Sequence, residues 1–211
     1  MEKTCSNCVH DGCGKIVCMD CVDMSTMFKE KPNKIESRDV LGSTVERLVM
    51  SRIWEMPNKW TFKMKCVKSL LDRVVTGEFA DPFAGKYSPA LYRNDIEENR
   101  NATHQMDALD FLKTFDDDSL DGVLFDPPYS VEQCLRKYTP KFKGTAGRAE
   151  YWAKCKDQMK RIIKPGGTAV SFCWDSTGVG KTRGFAIKEI LLICHGACHN
   201  DTIVTVEENV T

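Results

Sequence analysis

Apolar residues along this chain fall into short blocks separated by turn-forming clusters. Gly122-Val123-Leu124-Phe125 is an unbroken apolar run, the pattern of a strand buried on both faces. It stops at Asp126-Pro127-Pro128-Tyr129, where two prolines deny a ladder its N–H donors. Upstream, Glu78-Phe79-Ala80-Asp81 predicts a short strand broken at Pro82 and Gly85, and Ala90 to Glu97 predicts another with an acid, Asp95, at its end. Met106 to Leu112 supplies Asp107 and then an amphipathic turn of helix. Met159 to Lys164 predicts the end of a basic helix that stops at Pro165-Gly166-Gly167, and Thr168 to Trp174 reads as the next strand. Glu189 to Cys194 and Thr202 to Val206 predict two more strands, joined by a loop over 195–201. Nearer the N-terminus, Ser43 or Thr44 can cap a helix through Val45, Leu48, Val49 and Ile53, with Glu46 in its first turn. Met56 to Lys63 breaks that helix, and a second one runs from Cys66 to Val75. Strands alternating with helical stretches predict an α/β architecture with a mainly parallel sheet.

Composition adds bounds. A chain of 211 residues with zero formal net charge can bury one good core and a small appendage. No global basic signal marks a nucleic-acid binder, but the charges are unevenly spread. Val131 to Lys164 holds ten basic residues against three acids, and Tyr92 to Asp126 holds ten acids against three bases. The basic stretch follows Tyr129 and is placed to meet phosphates or to form a solvated face. Within it, Lys143 to Arg148 reads as a basic loop able to close on a polymer. No apolar stretch reaches the length of a membrane span, and the N-terminus lacks the apolar core of a signal peptide. The expectation is a soluble cytoplasmic protein of a bacterial or phage-infected cell, with no membrane partner.

Five of the eleven cysteines lie near the N-terminus. Cys5-x2-Cys8 and Cys18-x2-Cys21 form two tight pairs with His10 and Cys13 between them, a spacing suited to tetrahedral structural zinc. So short a segment has no apolar core of its own, and metal binding would supply its folding energy. A disulfide or redox pair is the competing reading, disfavoured without a secretion signal. Cys194-His195-x2-Cys198-His199 also has metal-like chemistry, but its spacing alone does not show convergence, and it reads as an ordinary loop. Phe28 to Arg38 is polar and reads as a linker.

The chemistry concentrates at Asp126-Pro127-Pro128-Tyr129. An acid, a carbonyl aimed by proline and an aromatic at the carboxyl edge of a sheet suit a flat, amino-bearing base. Asp126 and the Pro127 carbonyl can accept the two amine hydrogens, and Tyr129 offers a stacking ring. Together with Asp81-Pro82-Phe83-Ala84-Gly85 and Lys164-Pro165-Gly166-Gly167, these residues resemble the S-adenosylmethionine-dependent amino-methyltransferases, most of all the phage-type DNA adenine-N6 enzymes. The resemblance covers roughly residues 57–207. It implies a class I methyltransferase (Rossmann-like) sheet of seven strands, mainly parallel with helices on both faces, whose last two strands form an antiparallel pair. It divides the chain into a zinc-binding segment (1–24), a linker and helical arm (25–56) and a methyltransferase domain (57–211).

The resemblance also implies roles. Asp126, Pro127, Pro128 and Tyr129 are the catalytic group. Asp81, Phe83, Ala84 and Gly85 belong to the cofactor loop. Asp95 and Ile96 face the ribose and adenosine, Asp107 and Ala108 the adenine, and Trp60 to Lys63 lies over the methionine end. Cys5, Cys8, Cys18 and Cys21 are the zinc candidates. The implied reaction is direct in-line methyl transfer to adenine N6 of a flipped-out base in DNA. The same chemistry on adenine in RNA or on cytosine N4 remains open, as does a catalytically inactive zinc-bearing nucleic-acid-binding protein. A protein-glutamine methyltransferase is disfavoured, because that group carries Asn where this chain has Asp126. The sequence departs from the family after Gly85, where Lys86-Tyr87-Ser88-Pro89 replaces small residues and a further glycine.

Overall fold

The structure, a computed structural model, describes residues 48–98, 100–130, 132–133, 149–196 and 199–211. The strands are β1 (Val49–Trp54), β2 (Phe79–Asp81), β3 (Tyr92–Arg93), β4 (Leu120–Phe125), β5 (Ile163–Cys173), β6 (Phe185–Cys194) and β7 (Thr202–Asn209). Three α-helices accompany them among the described residues: α1 (Lys65–Val74), α2 (Ala108–Lys113) and α3 (Ala149–Ile162). The strands form one sheet in the order β1-β6-β7-β5-β4-β2-β3. β7 lies antiparallel between β5 and β6, and the other neighbours are parallel. This is the class I methyltransferase arrangement, with one antiparallel strand between β5 and β6 and β1 added beyond β6.

Two apolar clusters lie on opposite faces of this sheet, as the period-2 alternation of strand side chains requires. On one face α1 sets Val67, Leu70 and Leu71 against Leu124, Val170, Phe172, Ile193 and Val204. On the other, α2 and α3 set Phe111, Leu112, Cys155, Met159 and Ile162 against Ala80, Val123, Phe125 and Ala169. Each large side chain fully buried here contributes roughly 1.5–3 kcal/mol. Gly122 lets the sheet close at its centre. A Cβ there would overlap the Phe79 ring and the Thr168 carbonyl, so the strand leading to Asp126 tolerates no side chain at this position.

The structure corrects two readings of the chain. The helix expected through Val45 and Ile53 is, over its described part, the strand β1, paired in parallel from Val49↔Glu189 to Trp54↔Cys194. The apolar positions fit a helix face locally, but β6 offers an open row of N–H and C=O groups. Tertiary pairing decides the matter. The strand expected from Ala90 to Glu97 is only two residues long, followed by a single parallel bridge between Asn94 and His104. The sheet therefore has seven strands because β1 extends one edge, while the other edge fades beyond β3. α1 and the β6–β7 pair form where the sequence predicts them. The Lys164 to Gly167 turn is a bulge inside β5, between the pairings Leu120↔Ile163 and Gly122↔Thr168.

β1 also anchors the first helix. Glu55 accepts hydrogen bonds from the Lys65 and Cys66 amides at 2.7 and 2.9 Å, and so caps α1, whose own N-cap residue, Met64, makes no side-chain bond. Burial works to raise the Glu55 carboxyl, but the bonds from Cys66 and Lys65 prevail and hold it below the usual range. No helix among the described residues is long and apolar enough to cross a membrane.

Candidate active site

β4 delivers Asp126 to the carboxyl edge of the sheet, and the two buried prolines end the strand there. Tyr129 turns back. Its hydroxyl donates to Asp126 Oδ1 at 2.9 Å, and its amide donates to Gln133 Oε1 at 2.8 Å. Burial, reinforced by the neighbouring Asp126 charge, keeps the Tyr129 phenol protonated far above its ordinary range. The Tyr129 ring meets Trp174 edge to face, with centroids 5.6 Å apart. Trp174 follows β5 and is 42% exposed.

The loop after β2 is built from internal bonds. Asp81, 0% exposed, accepts from the Phe83 amide at 2.9 Å and the Ser88 hydroxyl at 2.6 Å. Burial pushes its carboxyl up to about 7. Those two bonds pull it down, and the Asp126 and Asp95 charges add to the rise. Gly85 sits at φ +55, a conformation that L side chains rarely adopt. Its amide donates to Asp95 Oδ2 at 3.1 Å, while Asp95 Oδ1 accepts from the Glu97 amide at 2.8 Å. Burial raises the Asp95 carboxyl. Trp60 lies over the loop, 3.5 Å from where a Gly85 Cβ would stand, and meets Tyr87 edge to face.

The two loops share one cavity of about 650 Å³, within the range of small-molecule and cofactor sites. Phe83, Ala84, Gly85, Asp126, Pro127, Pro128 and Tyr129 all line it. The other cofactor candidates do not reach its wall. Asp81 lies under the loop and Asp95 braces it from behind. Ile96 is half-buried after β3. Asp107 caps α2, where its Oδ1 accepts from the Leu109 amide and the Tyr151 hydroxyl at 2.9 and 2.8 Å, with Ala108 buried beside it. Lys63 stands outside, its Nζ 4.8 Å from the Tyr87 ring centre. Cys5, Cys8, Cys18 and Cys21 lie outside the described residues, as does the Lys143 to Arg148 loop.

Among the wall residues not legible as such in the sequence are Trp174 and His195. Trp174 had a signal, an aromatic placed just past a strand on the ligand-binding edge. His195 had a misleading one. It is 3% exposed, and both ring nitrogens are engaged, Nδ1 with the Glu55 carbonyl at 2.6 Å and Nε2 with the Thr202 hydroxyl at 2.9 Å. It ties β1 to the floor of the cavity rather than offering itself to a metal. Among the described residues no three His, Cys, Asp or Glu side chains converge on a metal position.

No family model and no curated protein matches the chain. Among solved structures, TrmN from Thermus thermophilus is 18% identical over 69% of this chain and 49% of its own, with a TM-score of 0.46. The PH0226 protein from Pyrococcus horikoshii OT3 is 14% identical over 67% and 86%, with a TM-score of 0.43. SMU.1697c from Streptococcus mutans, solved in complex with SAH, is 10% identical over 66% and 93%, with a TM-score of 0.38. The chain thus spans about half the length of TrmN. Likenesses this distant bear on no substrate. The class I methyltransferase fold rests on strand order and direction.

Proposed function

We propose that this protein transfers a methyl group from S-adenosylmethionine to the exocyclic N6 amine of adenine in DNA. One observation carries the reading: Asp126-Pro127-Pro128-Tyr129 and the Phe83-Ala84-Gly85 loop, on neighbouring strand ends, line the same cavity. The residues fit the cofactor at its methionine end, because a glycine at φ +55 exposes backbone to close approach beside Asp126. Phe83, Ala84 and Gly85 would hold it there, and Asp81 and Asp95 act through the shape of that loop. When bound, the cofactor supplies an electrophilic sulfonium methyl.

The chain's own part is positioning. The amine lone pair of adenine is delocalised into the ring. Hydrogen bonds from its two hydrogens to Asp126 and the Pro127 carbonyl favour a pyramidal nitrogen with that pair free. A carboxylate accepts about four hydrogen bonds, so the Tyr129 hydroxyl and an incoming amine can share Asp126. Alignment of this kind lowers a barrier by roughly 7–11 kcal/mol. Extruding a base from a duplex costs a few kcal/mol. Stacking on Tyr129 and on the exposed Trp174 offsets part of it.

The test is methyl transfer from labelled S-adenosylmethionine to duplex DNA, single-stranded DNA and RNA, with the product nucleoside identified by mass spectrometry. N6-methyladenine in DNA is expected. N6-methyladenine in RNA or N4-methylcytosine would keep the chemistry and change the acceptor. Cofactor binding without transfer to any polymer would overturn the polymer reading. No cofactor binding would leave an inactive fold. We infer further, from their spacing, that Cys5, Cys8, Cys18 and Cys21 hold one structural zinc.

A further inference from the structure

The departure from the family at Lys86-Tyr87 becomes intelligible at the mouth of the cavity. Trp60 and Tyr87 meet edge to face with centroids 5.6 Å apart, and cations surround the pair. Lys59 Nζ lies 5.4 Å from the Trp60 centroid, and Arg100 Cζ 5.2 Å from it. Lys63 and Lys86 Nζ lie 4.8 and 5.6 Å from the Tyr87 centroid. Arg100 has a carboxylate within reach, Asp95 at 3.7 Å. The three lysines are exposed and have no carboxylate at ion-pair distance among the described residues. Lys59, Trp60, Lys86 and Tyr87 are also cavity wall.

An aromatic face attracts an ammonium group through its quadrupole but carries no net charge. Cations held by rings therefore keep their full charge, whereas the same cations held by carboxylates would be neutralised. Three positive charges, two on the cavity wall and Lys63 beside it, without a carboxylate at ion-pair distance among the described residues, repel one another, and a nearby anion relieves that repulsion. The single carboxylate of a cofactor answers one charge. A polynucleotide backbone presents several in series.

We propose that Lys59, Lys63 and Lys86, held by the Trp60–Tyr87 pair, form a phosphate-contact site for the strand whose base enters the cavity. This rests on the nucleic-acid reading of the cavity above. It moves Lys63 from the cofactor to the polymer and gives Lys86-Tyr87, which stand where the family has small residues, a role in holding the substrate strand. The rings act as positioning groups, because their faces carry the ammonium groups and leave base stacking to Tyr129 and Trp174.

The test uses the full chain and a fluorescently labelled single-stranded DNA oligonucleotide, with binding followed by anisotropy over a range of salt concentrations. The plot of log affinity against log salt should be steep for the wild type. The Lys59→Gln/Lys63→Gln/Lys86→Gln variant should lose about 0.7 in slope per phosphate contact removed, about 2 in all. Arginine at the same three positions should restore the slope, and calorimetric affinity for S-adenosylmethionine should stay within a few-fold of wild type. An unchanged slope overturns the proposal. So does an unchanged slope with a tenfold loss of cofactor affinity, which would assign the lysines to the cofactor carboxylate. A wild type that binds no oligonucleotide overturns it too. The two readings fail separately. Transfer with a slope insensitive to the lysines sinks the rim alone, and a lysine-dependent slope without transfer sinks the catalytic reading alone.

Discussion

At the scale of single residues, three side chains carry the site in different ways. Asp126 is the acceptor that the proposed chemistry needs, while hydrogen bonds to Asp81 and Asp95 shape the Gly85 loop. Asp126→Ala should lower methyl transfer by about a hundredfold or more while cofactor affinity by calorimetry changes little. Near-normal turnover would remove Asp126 from the mechanism. Trp174 is the exposed ring beside Tyr129. Trp174→Ala should raise KM for the polymer by the equivalent of about 1–3 kcal/mol of base stacking and leave cofactor binding unmoved. Equal losses in both would mark Trp174 as a structural residue only.

Asp81 has a distinctive pH signature. Its folded carboxyl titrates near 7 because it is buried, against about 4 in an unfolded chain. Between those values the folded state holds a proton that the unfolded state has released, so stability falls as pH rises through the window. Asp81→Asn keeps an acceptor for the Phe83 amide and offers a donor to Ser88. The gap between variant and wild-type urea midpoints should widen in the variant's favour from pH 5 to pH 7.5. A gap constant across that range would contradict a buried, titrating Asp81.

At the scale of elements, β1 and α1 are joined through one carboxylate. Met64 gives α1 no side-chain cap, and Glu55, reaching from the end of β1, accepts the two leading amides instead. Glu55→Ala should cost about 0.5–2 kcal/mol, the range for loss of a cap, read as a shift in the urea midpoint. The Glu55 carboxyl is depressed in the folded state. Its contribution is therefore present above the unfolded carboxyl range and lost as pH falls through the folded value, so wild type and variant should converge in acid. A cost that persisted unchanged in acid would mean that Glu55 acts by packing. Because the Glu55 carbonyl also holds His195, the edge strand reaches the cavity through two consecutive contacts.

At the scale of the whole molecule, the sheet gathers strand ends from distant parts of the chain into one mouth. β2 supplies the glycine turn, β4 the Asp-Pro-Pro-Tyr group and β5 Trp174. The N-terminal cysteine segment adds a separate expectation. Purified protein should carry one zinc per chain by elemental analysis, and serine at Cys5, Cys8, Cys18 and Cys21 should abolish it. A metal-free wild type with reduced thiols would refute the zinc site.

Much of this was readable along the chain, and the parts that were not share a cause. The strand before Asp126, the break at Pro127-Pro128, the turn at Gly85 and helix α1 follow from hydrophobic period, from proline's fixed φ and missing N–H, and from glycine's access to positive φ. These effects act within a few residues and are written in the sequence. Residues 49–54 fit a helix by the same local rules, yet β6 draws them into a strand because its edge would otherwise go unpaired. Asp95 and Asp107 have the type and place of ligand-binding acids, and the Gly85 amide and Tyr151 hydroxyl that donate to them were not legible, because those partners come from elsewhere in the fold. Trp60, Lys63 and Tyr87 come together only because the chain before α1 folds across the end of β2. Local conformation was determined by the sequence itself. Which backbone edges, faces and charges were left to answer one another was decided by the assembled sheet, since those pairings depend on everything the rest of the fold has already satisfied.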